Sequence, residues 1–212
     1  MKKKTIAALL SALLLITATA SAAVQTEKKT ADGCQIERPV VSCADQQAAD
    51  RINADINEAL YRFICRNSGT AYARDSKFYY KNMYEDSRSL SLILCEYTYG
   101  GGAHGNTQYY GCTYDKATGQ RLPLSNFVRI RPEDKADIYS LTVYHLDGSR
   151  VSRPWDLRMR MSAELTGNYF LLGGGRIALL FQPYDMACFA DGPTYVVLTP
   201  EHIRSLNQKN PY

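Results

Sequence analysis

Two strand-like segments on either side of a glycine-rich turn constrain the fold of this chain most strongly. In residues 89–99, leucines occupy every second position from 90 to 94, which is the pattern of a strand with two different faces. Residues 107–114 resemble a second strand, and the segment between them, Gly-Gly-Gly-Ala-His-Gly-Asn, has the composition of a turn. The sequence therefore predicts a long β-hairpin.

The other segments alternate between strand and helix patterns. Residues 34–41 are strand-like, and residues 45–66 carry apolar side chains on one face at helical spacing. Further strands are predicted at residues 77–84, 168–172, 176–181 and 195–199, a helix at 132–146, and a short C-terminal helix at 200–206. Strand clusters interrupted by two main helices are typical of an α+β fold with a mostly antiparallel sheet. We expect an N-terminal half at 33–127, with the strand–helix unit and the hairpin, and a C-terminal half at 128–212 that packs on it.

The N-terminus has the three parts of an export signal. Lys2–Lys4 are basic, residues 6–16 are almost entirely apolar, and Ala20-Ser21-Ala22 is an A-x-A cleavage site. The apolar run is shorter than the roughly 20 residues of a membrane span, although an uncleaved anchor is the alternative reading. We expect cleavage before Ala23, a short polar stretch at 23–32, and a periplasmic or secreted protein without a stable membrane anchor.

After removal of residues 1–22, the numbers of basic and acidic residues are nearly equal. The chain has 25 basic and 21 acidic residues, and the three basic residues of the signal leave 22 against 21. A nucleic-acid-binding surface needs a dense basic stripe, so no nucleic-acid partner is expected.

Six cysteines follow the signal segment: Cys34, Cys43, Cys65, Cys95, Cys112 and Cys188. An even number in an exported protein suggests three disulfides. If the helix folds back along the preceding strand, its end returns to the start of that strand, so Cys34–Cys65 is the preferred pair. In a hairpin centred near residues 103–104, Cys95 and Cys112 lie opposite each other, and Cys43–Cys188 remains by elimination.

The turn and its flanking strands resemble a known family. Residues 97–106, Tyr-Thr-Tyr-Gly-Gly-Gly-Ala-His-Gly-Asn, are similar to the Tyr-x-Gly-Gly-Ala-His signature of an extracytoplasmic domain of unknown function. That domain occurs in the lysozyme-sensing anti-sigma factor RsiV and in the peptidoglycan deacetylase PdaC. The similarity extends over residues 30–206 and includes Pro183-Tyr184-Asp185-Met186-Ala187, although Cys188 replaces a frequent proline of the family.

The resemblance implies a cell-envelope binding module. The catalytic domain of the deacetylase is not present in this sequence, and we expect the module alone, released into the periplasm. Its ligand would be a peptidoglycan-type glycan or an envelope protein such as lysozyme.

His104 is the main candidate for chemistry on the turn. It would either hydrogen-bond the glycine-rich backbone, contact a ligand, or act as a general base. Neither His145 nor His202 has the spacing of a second metal ligand, so no metal or other cofactor is expected. No nucleophile-elbow motif accompanies the histidine, so we assign no catalytic residue.

Tyrosine is unusually frequent, with 16 residues against one tryptophan and six phenylalanines. These rings either fill the core and cover a sheet, or form a flat binding face. The ligand-binding candidates are Tyr97, Tyr99, His104, Asn106 and Tyr184. The prediction is a non-catalytic binding module; the alternatives are an envelope hydrolase that uses His104 and a structural accessory protein.

Overall fold

The first of two sheets contains the predicted hairpin. The computed structural model describes residues 23–68 and 75–211, so the predicted export signal lies outside the described residues. The strands of this sheet are β1 (Ala23–Ala31), β2 (Cys34–Ser42), β3 (Asp75–Glu85), β4 (Ser89–Tyr99) and β5 (Asn106–Asp115). They are ordered β1-β2-β3-β4-β5. Of the described pairings in this sheet, β2–β3 is parallel and the other three are antiparallel.

Helix α1 (Gln46–Asn67) covers one face of this sheet. It begins at Asp45, whose carboxylate accepts the amide of Gln47 at 2.7 Å and satisfies a free amide of the first turn. The side chain of Asn53 donates to the carbonyl of Val41 and accepts from its amide. The helix therefore folds back along β2, as predicted. Its buried residues pack against leucines at every second position of β4, in one cluster: Ile52, Ile56, Leu60, Phe63, Leu90, Leu92 and Leu94.

The opposite face of the first sheet packs on the second sheet. Ile93 and Cys95 alternate with the leucines of β4 and join a cluster with Phe170, Ala178 and Leu180 of the second sheet. Burial of both faces in the middle of β4 explains why residues 92–95, Leu-Ile-Leu-Cys, are continuously apolar.

The second sheet contains β6 (Val143–His145), β7 (Tyr169–Gly173), β8 (Arg176–Phe181) and β9 (Thr194–Leu198), ordered β6-β9-β8-β7 with antiparallel pairing. Its outer face forms a hydrophobic cluster with residues of α2 (Lys135–Tyr139). Helix α4 (Pro200–Lys209) follows β9 and contributes Ile203 and Leu206 to the same cluster. A short helix, α3 (Leu157–Arg160), lies in the connection before β7. The layers run α1, first sheet, second sheet, then α2 and α4, which confirms the predicted α+β class.

Two segments differ from the sequence-based expectation. The helix expected over residues 132–146 consists of a 3-10 turn at Pro132–Asp134 and the five residues of α2, and β6 occupies Val143–His145. Pairing of Val143 with Val196 of β9 is a long-range interaction that local periodicity does not contain. Residues 23–32, for which the sequence predicted no element, contain β1, which pairs with β2 along its whole length.

The predicted Cys95–Cys112 disulfide is wrong. Cys95 pairs with Tyr109 and Cys112 pairs with Leu92, so the two cysteines are three positions out of register. Cys112 also belongs to the cluster beneath α1, whereas Cys95 faces the second sheet. The hairpin is centred on Gly102 rather than between residues 103 and 104, because Thr98 and Asn106 form its last pair.

The other two predicted disulfides are not formed, and all six cysteines are free thiols. Cys34 is buried in the core, whereas Cys65 lies on the exposed side of α1. Cys43 packs at the edge of the cluster beneath α1, and the Cys188 thiol instead donates to the Asp191 carboxylate at 2.9 Å. No helix within residues 23–68 and 75–211 is long and apolar enough to cross a membrane.

Candidate functional site

The hairpin tip packs on the C-terminal half of the chain through a stacked pair of rings. His104 stacks on Phe189, with ring centroids 3.8 Å apart and planes inclined by 24°. Phe189 begins a 3-10 turn, Phe189–Asp191, between β8 and β9. Phe189 also contacts Tyr184, with ring centroids 5.3 Å apart and planes inclined by 35°. Two of the predicted site residues, His104 and Tyr184, are thus brought together by Phe189, which the sequence did not single out.

The imidazole of His104 is oriented by the turn itself. Its Nδ1 donates to the carbonyl oxygen of Gly105 at 2.9 Å, which directs Nε2 away from that carbonyl. The side chain is exposed although its ring is stacked. The histidine therefore both stabilises the turn and presents a ring edge to solvent.

Tyr97 and Tyr99 support the turn from inside the hairpin. The hydroxyl of Tyr99 donates to the carbonyl of Gly102 at 2.9 Å. The ring of Tyr97 lies directly against Gly105, where a Cβ atom would be 2.3 Å from the ring. The remaining predicted residue, Asn106, is exposed at the first position of β5. Both tyrosines are half-buried, so their rings shape the tip more than they form its surface.

Tyr184 is held in an unusual backbone conformation. Its φ angle is +75°, in a region that side-chain-bearing residues seldom adopt. The ring is 59% exposed. Its carbonyl oxygen accepts the indole N–H of Trp155 at 3.1 Å, and the amide of Trp155 donates to the carbonyl of Met186. Strained residues with exposed side chains are concentrated at functional sites.

We call the set His104, Trp155, Tyr184 and Phe189 the tip surface. Its continuation along the chain is α3, which directly follows Trp155 and Asp156. Leu157 and Met159 of this helix are 41% and 53% exposed. His104 and Tyr184 are exposed and Trp155 and Phe189 are half-buried, so the tip surface presents aromatic rings to solvent next along the chain to exposed apolar residues of α3. Contiguous exposed apolar surface of this kind is typical of interaction sites.

Two side-chain amides fix the hairpin to the second sheet behind the tip surface. Gln182 accepts the amide of Tyr109 at 2.9 Å and donates to its carbonyl at 2.7 Å. Asn168 accepts the amide of Gly111 and donates to the same Tyr109 carbonyl. These contacts satisfy backbone groups of β5 on the edge that no strand covers, and they join the hairpin to the second sheet. The sequence analysis missed them because they join residues more than 50 positions apart.

The carboxyl of Asp185, next to Tyr184, is half-buried. Burial raises its pKa, the amide of Gln182 lowers it in part, and the nearby charge of Glu164 raises it further. Asp185 Oδ2 accepts the Gln182 amide at 2.8 Å, so this carboxylate closes the turn that carries Tyr184. Within the described ranges, no three histidine, cysteine or carboxylate side chains converge in a way that could hold a metal ion.

These features define an α+β module with an aromatic surface where the hairpin tip meets the C-terminal half of the chain. The predicted resemblance is confirmed by comparison with known proteins: residues 24–107 match a family described as deacetylase PdaC. Over these residues the chain is similar to that family.

Solved structures share the fold over most of the chain. One is a member of the DUF3298 family from Bacteroides fragilis, with 14% identity, a TM-score of 0.55, and coverage of 88% of this chain and 93% of that chain. Another is a DUF3298 protein from Pseudomonas aeruginosa, with 11% identity, a TM-score of 0.55, and coverage of 87% and 93%. At these identities the likeness shows the fold alone. Among curated proteins, no sequence matches this chain.

Proposed function

We propose that this chain is an exported, non-catalytic binding module of the cell envelope that recognises an extracytoplasmic protein through its tip surface. The observation that carries the proposal is the aromatic cluster at the hairpin tip: His104 stacks on Phe189, Phe189 also contacts the tilted ring of Tyr184, and Tyr184 is exposed at a positive φ angle. The export motif in residues 1–22 supports a periplasmic or secreted location.

The composition of the tip surface favours a protein partner. Aromatic residues and methionine are enriched at the centres of protein interfaces, where a few rings supply most of the binding energy. Tyr184, Trp155 and Met159 are of these types. Rigid rings also lose little conformational entropy on binding, because they have only two side-chain torsions.

The contacts of His104 favour binding over catalysis. A histidine that acts as a general base is normally oriented by a carboxylate or a similar third group. Here the orienting partner of Nδ1 is a backbone carbonyl, and the ring face is occupied by Phe189. This arrangement suits a recognition side chain.

A peptidoglycan-type glycan is the other ligand suggested by the family resemblance, and it could stack on the same rings. Lysozyme is the first purified protein to test, since the anti-sigma relative senses it. Both ligand classes are therefore tested, and a protein is the ligand that we propose for the tip surface.

Immobilised wild-type protein is exposed to envelope extract, to lysozyme and, in parallel, to purified sacculi. The test variant is Tyr184→Ala, and the matched control is Tyr61→Ala, which removes a 68% exposed tyrosine from α1, on the far side of the first sheet. We expect a retained protein whose capture falls about tenfold in Tyr184→Ala, a change of about 1.4 kcal/mol, and is unchanged in Tyr61→Ala. Tip-dependent retention of sacculi without any protein would reassign the ligand to glycan. Equal retention by wild type and Tyr184→Ala with extract, lysozyme and sacculi would refute the proposal.

A further inference from the structure

A second concave site lies at the other end of the hairpin from the tip surface. It is a cleft of about 610 Å³ between the β3–β4 turn of the first sheet and the β7–β8 turn of the second. Ser89 and Asp115, at the ends of β4 and β5, line it. Since β4 has 11 residues, the cleft is about 30 Å from the hairpin tip at ~3.3 Å per residue.

The floor of the cleft is apolar and carries two aromatic rings. Leu171 and Ile177 form it from the second sheet, and Ile203 from α4. Tyr84 and Phe127 also line the cleft. Tyr84 is fixed by donating its hydroxyl to Asp86 Oδ2 at 2.8 Å, and Phe127 packs on Tyr169 with centroids 5.8 Å apart.

Three polar side chains of the rim have hydrogen-bonding groups that remain open to a ligand. Within the described residues, the side chains of Arg88, Ser89 and Asn126 make no hydrogen bond to other protein groups. All three line the cleft. An apolar floor with a few converging polar groups is the usual composition of a small-ligand site, and its volume is within the usual range.

Two carboxylates that line the cleft accept hydrogen bonds from backbone amides of turns. Asp86 Oδ1 accepts the amides of Arg88 and Ser89 at 2.8 and 2.7 Å, and Asp115 Oδ1 accepts the amide of Thr118 at 2.8 Å. Burial raises the pKa of Asp86, but the two amides and Tyr84 lower it more. The Thr118 amide lowers the pKa of Asp115. Both groups are therefore ionised at neutral pH, whereas glycoside hydrolysis requires one protonated carboxyl group.

We propose that this cleft binds an oligosaccharide and holds one or two of its pyranose rings. A pyranose has an apolar face that fits against aromatic and aliphatic side chains, and its periphery of hydroxyls fits the guanidinium, hydroxyl and amide of Arg88, Ser89 and Asn126. The two carboxylates are not assigned as ligand groups, because they hold the turns of the rim, and in the ionised form neither supplies the protonated acid that glycoside cleavage needs. This site is separate from the tip surface and does not depend on a protein partner there.

Backbone amide spectra of the full mature chain, titrated with chitotetraose, cellotetraose or maltotetraose at millimolar concentrations, test the proposal. We expect at least one saccharide to shift the amides of Arg88, Ser89 and residues 173–175. The double variant R88A/N126A should weaken that saccharide's affinity about tenfold with an unchanged melting temperature. The matched control Arg153→Ala removes an exposed arginine outside the cleft and should leave the affinity unchanged.

Two results would overturn the oligosaccharide site. One is the absence of any amide shift in the cleft with all three saccharides. The other is a set of shifts confined to the hairpin tip, which would transfer glycan binding to the tip surface. Loss of protein capture by Tyr184→Ala bears only on the tip surface, so the two proposals fail independently.

Discussion

His104 and Phe189 stack at a centroid distance of 3.8 Å although 85 positions separate them in the chain. The contact joins the turn of the first sheet's hairpin to the 3-10 turn that precedes β9 of the second sheet. A local hairpin loop is thereby converted into part of a tertiary surface.

The first prediction concerns the energy of this contact. In a double-mutant cycle with His104→Ala and Phe189→Ala, we expect a coupling free energy of unfolding of about 0.5–1.5 kcal/mol, as for other aromatic pairs. Urea denaturation of the four proteins measures it. The control cycle pairs His104→Ala with Tyr61→Ala, and those distant changes should be additive. A coupling near zero for His104 and Phe189 would show that the stack does not hold the tip.

The second prediction separates stability from recognition at Tyr184. Glycine adopts a φ angle of +75° without the steric cost that tyrosine has there, and the lost ring is largely exposed. Tyr184→Gly should therefore unfold at the same temperature as wild type or a few degrees higher, while partner capture falls. Thermal unfolding and capture are measured on the same preparation. A melting temperature well below that of wild type would mean that the ring is needed mainly for packing.

The third prediction concerns the contact between the two sheets. A Cβ atom on Gly111 of β5 would be 1.9 Å from the carbonyl oxygen of Tyr169 on β7. Gly111→Ala should force the sheets apart and destabilise the protein by about 3 kcal/mol or more, since backbone atoms cannot move aside cheaply. Gly167→Ala is the control, because a Cβ atom there meets nothing within 4 Å. Equal melting temperatures for the two variants would contradict the close approach of β5 and β7.

The fourth prediction tests the free thiols. Burial raises the pKa of Cys95 to about 12 and that of Cys112 to about 11, so both stay protonated and shielded at pH 8. Cys65 and Cys188 are exposed. An aromatic disulfide reagent should label these two rapidly in the native protein and all six cysteines in denaturant, without reductant. Cys65→Ser and Cys188→Ser should each remove one rapid equivalent; fewer than six equivalents after unfolding would reveal a disulfide.

Local sequence patterns were sufficient to predict those elements in which one face is buried and the hydrophobic residues recur at the spacing of that face. The alternation in β4 and the helical spacing in α1 predicted both elements, because one face of each is buried in the same cluster. The position of the hairpin centre was not predictable to one residue. Gly101 and Gly102 adopt φ angles of +111° and +104°, which centre the turn on Gly102 and put Cys95 and Cys112 on opposite faces.

The candidate site was predicted only in part, because some of its residues come together through contacts between distant segments of the chain. Motif similarity identified His104 and Tyr184, but Phe189 and Trp155 join them through contacts between distant segments. The strand β6 was missed in the same way, since it exists through pairing with β9.

Trp155 is the single tryptophan of the chain, and its indole N–H donates to the Tyr184 carbonyl, so it reports on the tip surface alone. Protein labelled with 5-fluorotryptophan should give one 19F resonance. Titration with the captured partner is the most direct test of recognition by this surface. We predict that the partner shifts or broadens the resonance in wild type and in Tyr61→Ala, and that about ten times more partner is needed for the same change in Tyr184→Ala. A partner that binds wild-type protein without moving this resonance would contradict the account, because its binding site would lie elsewhere.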